Sequence, residues 1–86
     1  MEYVTYLAVS AGGRRAAFAL KTDEAKLPDR IVVLGENGTV LYQSESVGRV
    51  GGLWLDPSGE SIFLAADLTL SRQRISALVR EAAQSR

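Results

Sequence analysis

The chain has 86 residues, 47% hydrophobic and 23% charged, with a formal net charge of zero; such a composition describes one globular domain rather than a disordered segment. It contains no cysteine and no histidine. A disulfide framework and a Ser-His-Asp or Cys-His apparatus are therefore excluded, and zinc, copper, haem and iron–sulfur sites lose their usual ligands, so we expect no metal and no cofactor.

No apolar run approaches the ~20 residues of a membrane span. Residues 1–10, MEYVTYLAVS, carry an acid at position 2 and alternate, unlike a leader peptide. We expect a cytoplasmic chain with no membrane contact. The charge is unevenly placed: residues 1–70 carry six basic and nine acidic groups, a net −3, while residues 71–86 carry four basic groups and one acidic, a net +3. An acidic sheet region and a basic tail can complement each other within one chain or between two.

Residues 3–10, YVTYLAVS, are β-branched and aromatic, and residues 11–13, AGG, follow as a turn. Residues 14–21, RRAAFALK, then alternate, with Ala17, Ala19 and Lys21 on one side and Ala16, Phe18 and Leu20 on the other. The pair reads as a hairpin, although the alanines could also open a short helix. Residues 22–30, TDEAKLPDR, form a charged surface loop in which Pro28 keeps Leu27 out of helical geometry.

The organising stretch is residues 31–44, IVVLGENGTVLYQS. Asn37-Gly38 between two apolar runs predicts a type I′ hairpin with φ > 0 at both residues. That turn sets Leu34 opposite Leu41, Val33 opposite Tyr42 and Val32 opposite Gln43. Large apolar side chains on both faces place this hairpin in the centre of its sheet.

Residues 45–52 are loose, and Gly51-Gly52 marks a bulge or a close backbone approach before Leu53-Trp54-Leu55. Asp56-Pro57-Ser58-Gly59 fits a type I turn closed by a glycine bulge. With a three-residue loop, Trp54 faces Ile62 and Leu53 faces Phe63. In the tail, Ile75, Leu78, Val79, Ala82 and Ala83 recur on one helical face. This predicts a helix over 71–85 with Ser71 as N-cap and a Leu70–Ile75 hydrophobic staple.

Residues 9–20, VSAGGRRAAFAL, and 55–66, LDPSGESIFLAA, align at an offset of 46. A hairpin on an S-x-G-G or D-P-S-G turn followed by one on E-N-G-T resembles a four-stranded β-propeller blade, whose repeat is ~40–50 residues. The resemblance covers residues 3–66. It implies a blade-like meander closed by a helix, or a unit completed by oligomerising, and no catalytic or binding residue.

The remaining candidates are few. Arg72 and Arg74, in the first turn of the predicted helix, suit an anion or acidic partner patch, although solvation or pairing with Asp67 is the more ordinary account of them. Arg14-Arg15 beside Tyr3, Tyr6 and Phe18 could form a nucleic-acid surface, which the neutral chain and acidic sheet region oppose. Trp54 reads as a core or interface anchor and Tyr42 as a packed cross-strand residue. Asp56 and Glu60 flank a turn, where Asp binds its own backbone. Neither glycine pair matches a nucleotide-binding motif.

We thus expect an α+β fold: an antiparallel meander of five or six strands, at about 3–10, 14–21, 31–36, 39–44, 49–55 and 61–66, with one C-terminal helix in a single domain. The expected function is a small non-enzymatic interaction module, meaning an adaptor, inhibitor or assembly subunit. Its partner is another protein or a second copy in a two-fold dimer. Tyr3 and Thr5 belong to an edge without charge or proline, and Trp54, Arg72 and Arg74 are further contact candidates. The alternative is a small enzyme or ligand-binding domain using Asp, Glu, Tyr or Arg in a sheet–helix cleft.

Overall fold

The computed structural model describes residues 2–22, 28–44 and 47–84. Among these residues seven strands and one α-helix follow in chain order, with a 3-10 turn at Ala11–Gly13: β1 (Glu2–Val9), β2 (Ala16–Thr22), β3 (Arg30–Leu34), β4 (Val40–Gln43), β5 (Val50–Leu55), β6 (Ser61–Ala66), β7 (Thr69–Arg74) and α1 (Ile75–Gln84). They form two antiparallel meanders, a four-stranded sheet ordered β1-β2-β3-β4 and a three-stranded sheet ordered β5-β6-β7. The fold is α+β, as expected. The expected hairpins are present as β1–β2, β3–β4 and β5–β6; the differences are a seventh strand and the division into sheets of four and three strands.

The sheets pack face to face. Ala17, Ala19, Ile31 and Val33 of the first sheet, with Tyr6 and Tyr42 beside them, meet Val50, Leu53 and Ile62 of the second, flanked by Leu55 and Leu64. The loose alternation read in β2 is real: Ala17 and Ala19 are fully buried, while Ala16, Phe18 and Leu20 take the other face. Small alanines on the inner face let the second sheet approach closely.

The central hairpin differs from expectation in three ways. Val33 faces Tyr42 and Val32 faces Gln43 as predicted, but Leu34 faces Val40, with a bulge between. Among the described non-glycine residues only Asp67 and Leu68 have positive φ, so Asn37 lies outside the left-handed region and only Gly38, at φ 76°, occupies it. Gly38 N–H donates to the Gly35 carbonyl (3.1 Å) and Gly35 N–H to the Thr39 carbonyl (2.8 Å). This is a type I turn with a glycine bulge, and its extra residue shifts the register beyond the turn. Third, β4 is a sheet edge rather than a central strand. The helix α1 packs on β4 and β7; Leu41 and Tyr42 are half-buried, while Val40 is exposed.

The second sheet corrects two further expectations. Leu55 faces Ile62 and Trp54 faces Phe63, one position away from the predicted pairing. The Asp56 carboxylate accepts the Glu60 and Ser61 amides at 2.9 and 3.1 Å, which holds a four-residue loop instead of three. Residues 71–74 are strand, not helix. A two-residue turn at Asp67-Leu68, with φ of 50° and 67°, folds β7 back on β6, so Ser71 pairs with Leu64 instead of capping α1. Arg72 and Arg74 therefore lie on a strand. The helix begins at Ile75, whose N–H donates to the Glu60 carbonyl at 2.8 Å. Ile75 is buried and Leu78 is half-buried against the core, while Val79 is exposed. The middle of the predicted 22–30 loop and residues 45–46 lie outside the described residues.

Candidate functional site

The internal repeat is structural as well as local. In the first sheet Val4 faces Leu20, Tyr6 faces Ala19, Leu7 faces Phe18, Ala8 faces Ala17 and Val9 faces Ala16, with a bulge between Val4 and Tyr6. In the second, Val50 faces Ala66, Gly52 faces Ala65, Leu53 faces Leu64, Trp54 faces Phe63 and Leu55 faces Ile62, with a bulge between Val50 and Gly52. These five pairs, and the bulge, recur 46 residues on. The turns match as well. Ser10 N–H donates to the Arg15 carbonyl and Asp56 N–H to the Ser61 carbonyl. The Arg15 amide donates to Ser10 Oγ as the Ser61 amide donates to Asp56 Oδ1.

The two units use this pattern on opposite faces. The second sheet packs inward through Val50, Leu53, Leu55, Ile62 and Leu64. Their counterparts, Val4, Leu7, Val9, Ala16 and Phe18, lie on the outer face of the first sheet. There Leu7 is 66% and Val9 60% exposed. Conversely, the first sheet packs inward through Tyr6, Ala8, Ala17 and Ala19. Their counterparts, Gly52, Trp54, Phe63 and Ala65, form the outer face of the second sheet. Trp54 is 52% exposed there, and beside it Leu70 is exposed too. The outer face of the second sheet is thus open at Trp54 and Leu70, and that of the first is open along β1 at Val4, Leu7 and Val9, while Val32, opposite Phe18 on β3, is buried.

The expected contact residues are distributed over these faces. Trp54 lies on the outer face of the second sheet, its ring over Gly52 so closely that a Cβ at 52 would collide with it. The anticipated Gly51-Gly52 feature is therefore both a bulge and a close approach. Arg72 sits opposite Phe63 on that face. Tyr3 and Thr5 are on β1, an edge strand as expected. Thr5 falls at the bulge, and its buried hydroxyl has no hydrogen-bond partner.

Arg74 leaves Arg72 and joins a cleft of about 590 Å³ between the two unit turns and the start of α1. Arg14, Arg15 and Arg74 supply three cations there, Glu60 one carboxylate, and Ser58 and Ser76 hydroxyls, over an apolar floor of Leu41 and Ile75. The sequence separated these arginines by 59 positions, and only the packing of turn against helix brings them together. Chemically the cleft can hold an anion. At its margin the Asp56 carboxyl is lowered below its ordinary range, chiefly by the Ser61 amide, with partial desolvation opposing and the Ser58 hydroxyl helping.

A second polar centre escaped the sequence. Asp29 is buried; its Oδ2 accepts the Val50 amide at 2.8 Å and lies 3.4 Å from Lys21 Nζ. Its backbone N–H donates to Gly48 and its carbonyl accepts from Val47, so Asp29 ties the first sheet to the entry of β5. An Asp after Pro28 in a polar loop carries no signal of burial. Among the described residues no group of three or more His, Cys, Asp or Glu could hold a metal ion, and no helix is long and apolar enough to cross a membrane.

No protein-family model matches the chain, and no curated protein is significantly similar to it.

Proposed function

We propose that the protein is a non-enzymatic interaction module, an assembly subunit that binds other protein surfaces through its open sheet faces. The observation that carries this reading is the outer face of the first sheet, where Val4, Leu7 and Val9 stand exposed beside Ala16, Phe18 and Leu34. About 25 cal/mol is gained per Å² of such surface removed from water, and monomeric proteins rarely leave large contiguous patches open. The repeat supports a blade-like reading: one four-stranded unit, then a second begun on the same register. The site test is a photo-activatable residue at Leu7, compared with one at Asn37 on an exposed turn, in cells of the native source. Adducts at Leu7 well above those at Asn37 are expected; equal yields would overturn the reading.

The cleft supports a second reading, a binding site for a small anion. Three arginines line one concavity, and arginine is the side chain best suited to a phosphate or carboxylate ligand. Titration calorimetry with inorganic phosphate should show heat that Arg14→Ala abolishes, and absence of heat in the parent protein would exclude phosphate.

A further inference from the structure

We infer that the two open faces are complementary to each other, so that copies of this chain associate head to tail, the outer face of one copy's first sheet seating on the outer face of the next copy's second sheet. The inference deepens the interaction-module reading and rests on it.

The contact between the two sheets inside one chain supplies the geometry. A plug made of Val50, Leu53, Leu55, Ile62 and Leu64 packs on a socket made of Tyr6, Ala17, Ala19, Ile31 and Val33, with half-buried Ala8 opposite Ala17 on the same face. Shifted by 46 residues, the same positions give a second plug, Val4, Leu7, Val9, Ala16 and Phe18, and a second socket, Gly52, Trp54, Phe63 and Ala65. On the third strands, the β2–β3 and β6–β7 registers set Leu70 where Ile31 stands in the first socket and Arg72 where Val33 stands, so the open socket carries a cation on its β7 side. The second plug and second socket are on opposite sides of the molecule, so neither can satisfy the other within one chain.

The sizes also fit. The covered socket has small side chains at Ala8 and Ala17, and the plug packed on it carries the large Ile62 and Leu55. The open socket has Trp54 and Phe63 at those two places, and the open plug has Ala16 and Val9 in place of Ile62 and Leu55. Bulk has moved from plug to socket, which keeps the volume of the joint roughly constant, as interdigitated layers require. Gly52, in place of Tyr6, leaves the space that the outer edge of the Trp54 ring occupies.

Such a contact is heterologous: two different patches meet, and successive copies form either a closed ring or an open stack. A two-fold dimer through β1 edges uses one patch twice. The mixing experiment separates the two. Leu7→Glu blocks the plug, Trp54→Glu blocks the socket, and both positions are solvent-exposed, so each variant should keep the parent's far-UV circular dichroism. Val9→Lys and Leu70→Glu serve as second variants should either fail to fold. Light scattering on a sizing column at micromolar concentration should give a mass well above the monomer's 9.3 kDa for the parent. Each variant alone should be monomeric, and their equimolar mixture should give one capped dimer and nothing larger.

A parent that is monomeric at every concentration overturns the inference. So does either variant retaining the parent mass, or a mixture that stays monomeric. If position 7 still cross-links in cells, but to a different protein, the interaction-module reading stands and the head-to-tail inference falls.

Discussion

Leu7 and Leu53 occupy the same position in two copies of one motif, opposite Phe18 and Leu64 respectively, yet Leu7 is 66% exposed and Leu53 only 6%. The same local structure is covered in one unit and bare in the other. Leu53→Ala should therefore destabilise the fold by ~2–5 kcal/mol, the range for a buried leucine. Leu7→Ala in the dissociated chain should stay within ~0.5 kcal/mol, as for other surface changes. Urea unfolding at low protein concentration checks both, and equal losses would mean that the first sheet's outer face is covered in the monomer.

The central turn makes an asymmetric prediction. Gly38 has φ 76° while Asn37 does not lie in the left-handed region. Gly38→Ala should cost ~1–2 kcal/mol because alanine resists that conformation, which for a domain of this size lowers the melting temperature by roughly 4–16 °C. Asn37→Ala should change it by a few degrees at most. Similar losses at both positions would restore a type I′ turn.

Asp56 links stability to pH. Its folded pKa lies below the ordinary carboxylate value, chiefly because of the Ser61 amide. A lowered folded pKa means that the ionised form is stabilised by folding. This contribution is fully present above the unfolded value of ~4 and is lost as pH falls through the lower folded value. Asp56→Ala should be less stable than the parent at pH 6, and the gap should narrow steadily towards pH 2. Melting temperatures across that range measure it; a constant gap would show that the carboxyl charge plays no part.

Asp29 is the buried group whose loss leaves most unpaired. Asp29→Ala strands the Val50 amide and removes the partner of Lys21. The expected cost is ~1–3 kcal/mol, that of leaving a buried amide unsatisfied, since Lys21 keeps access to solvent. Lys21→Met, at a side chain 27% exposed, should cost much less. Chemical denaturation of both variants tests the order, and a reversal would put the structural role on Lys21.

Leu68 is fully exposed at φ 67°, a conformation costly for leucine. Leu68→Gly should raise the melting temperature by several degrees, because the strain relieved, ~1–2 kcal/mol, exceeds the ~0.5–1 kcal/mol entropic penalty of glycine. A lowered melting temperature would show that the turn relaxes elsewhere.

What the sequence alone determined was local. The alternation of residues 16–21 set the two faces of β2, the Gly51-Gly52 pair set a bulge, the Asn-Gly and Asp-Pro-Ser-Gly signals set two hairpin turns, and the helical period set α1 from Ile75 onward. The 46-residue alignment was also readable, since both turns close on a glycine after the same apolar position. Each of these features depends on residues a few positions apart, where backbone sterics and side-chain period act directly.

Tertiary structure decided the rest. Asp67-Leu68 is a hairpin turn without glycine or asparagine, and β7 is polar (TLSRQR), so neither carries a strand signal; pairing with β6 imposes both. The arginines of the cleft, the burial of Asp29 and the unequal fates of Leu7 and Leu53 depend on which sheet face meets which. A two-residue period gives every strand two candidate faces and does not say which is covered. That choice is made only when the second sheet, repeating the register of the first, comes to rest on one side of it and leaves the other open.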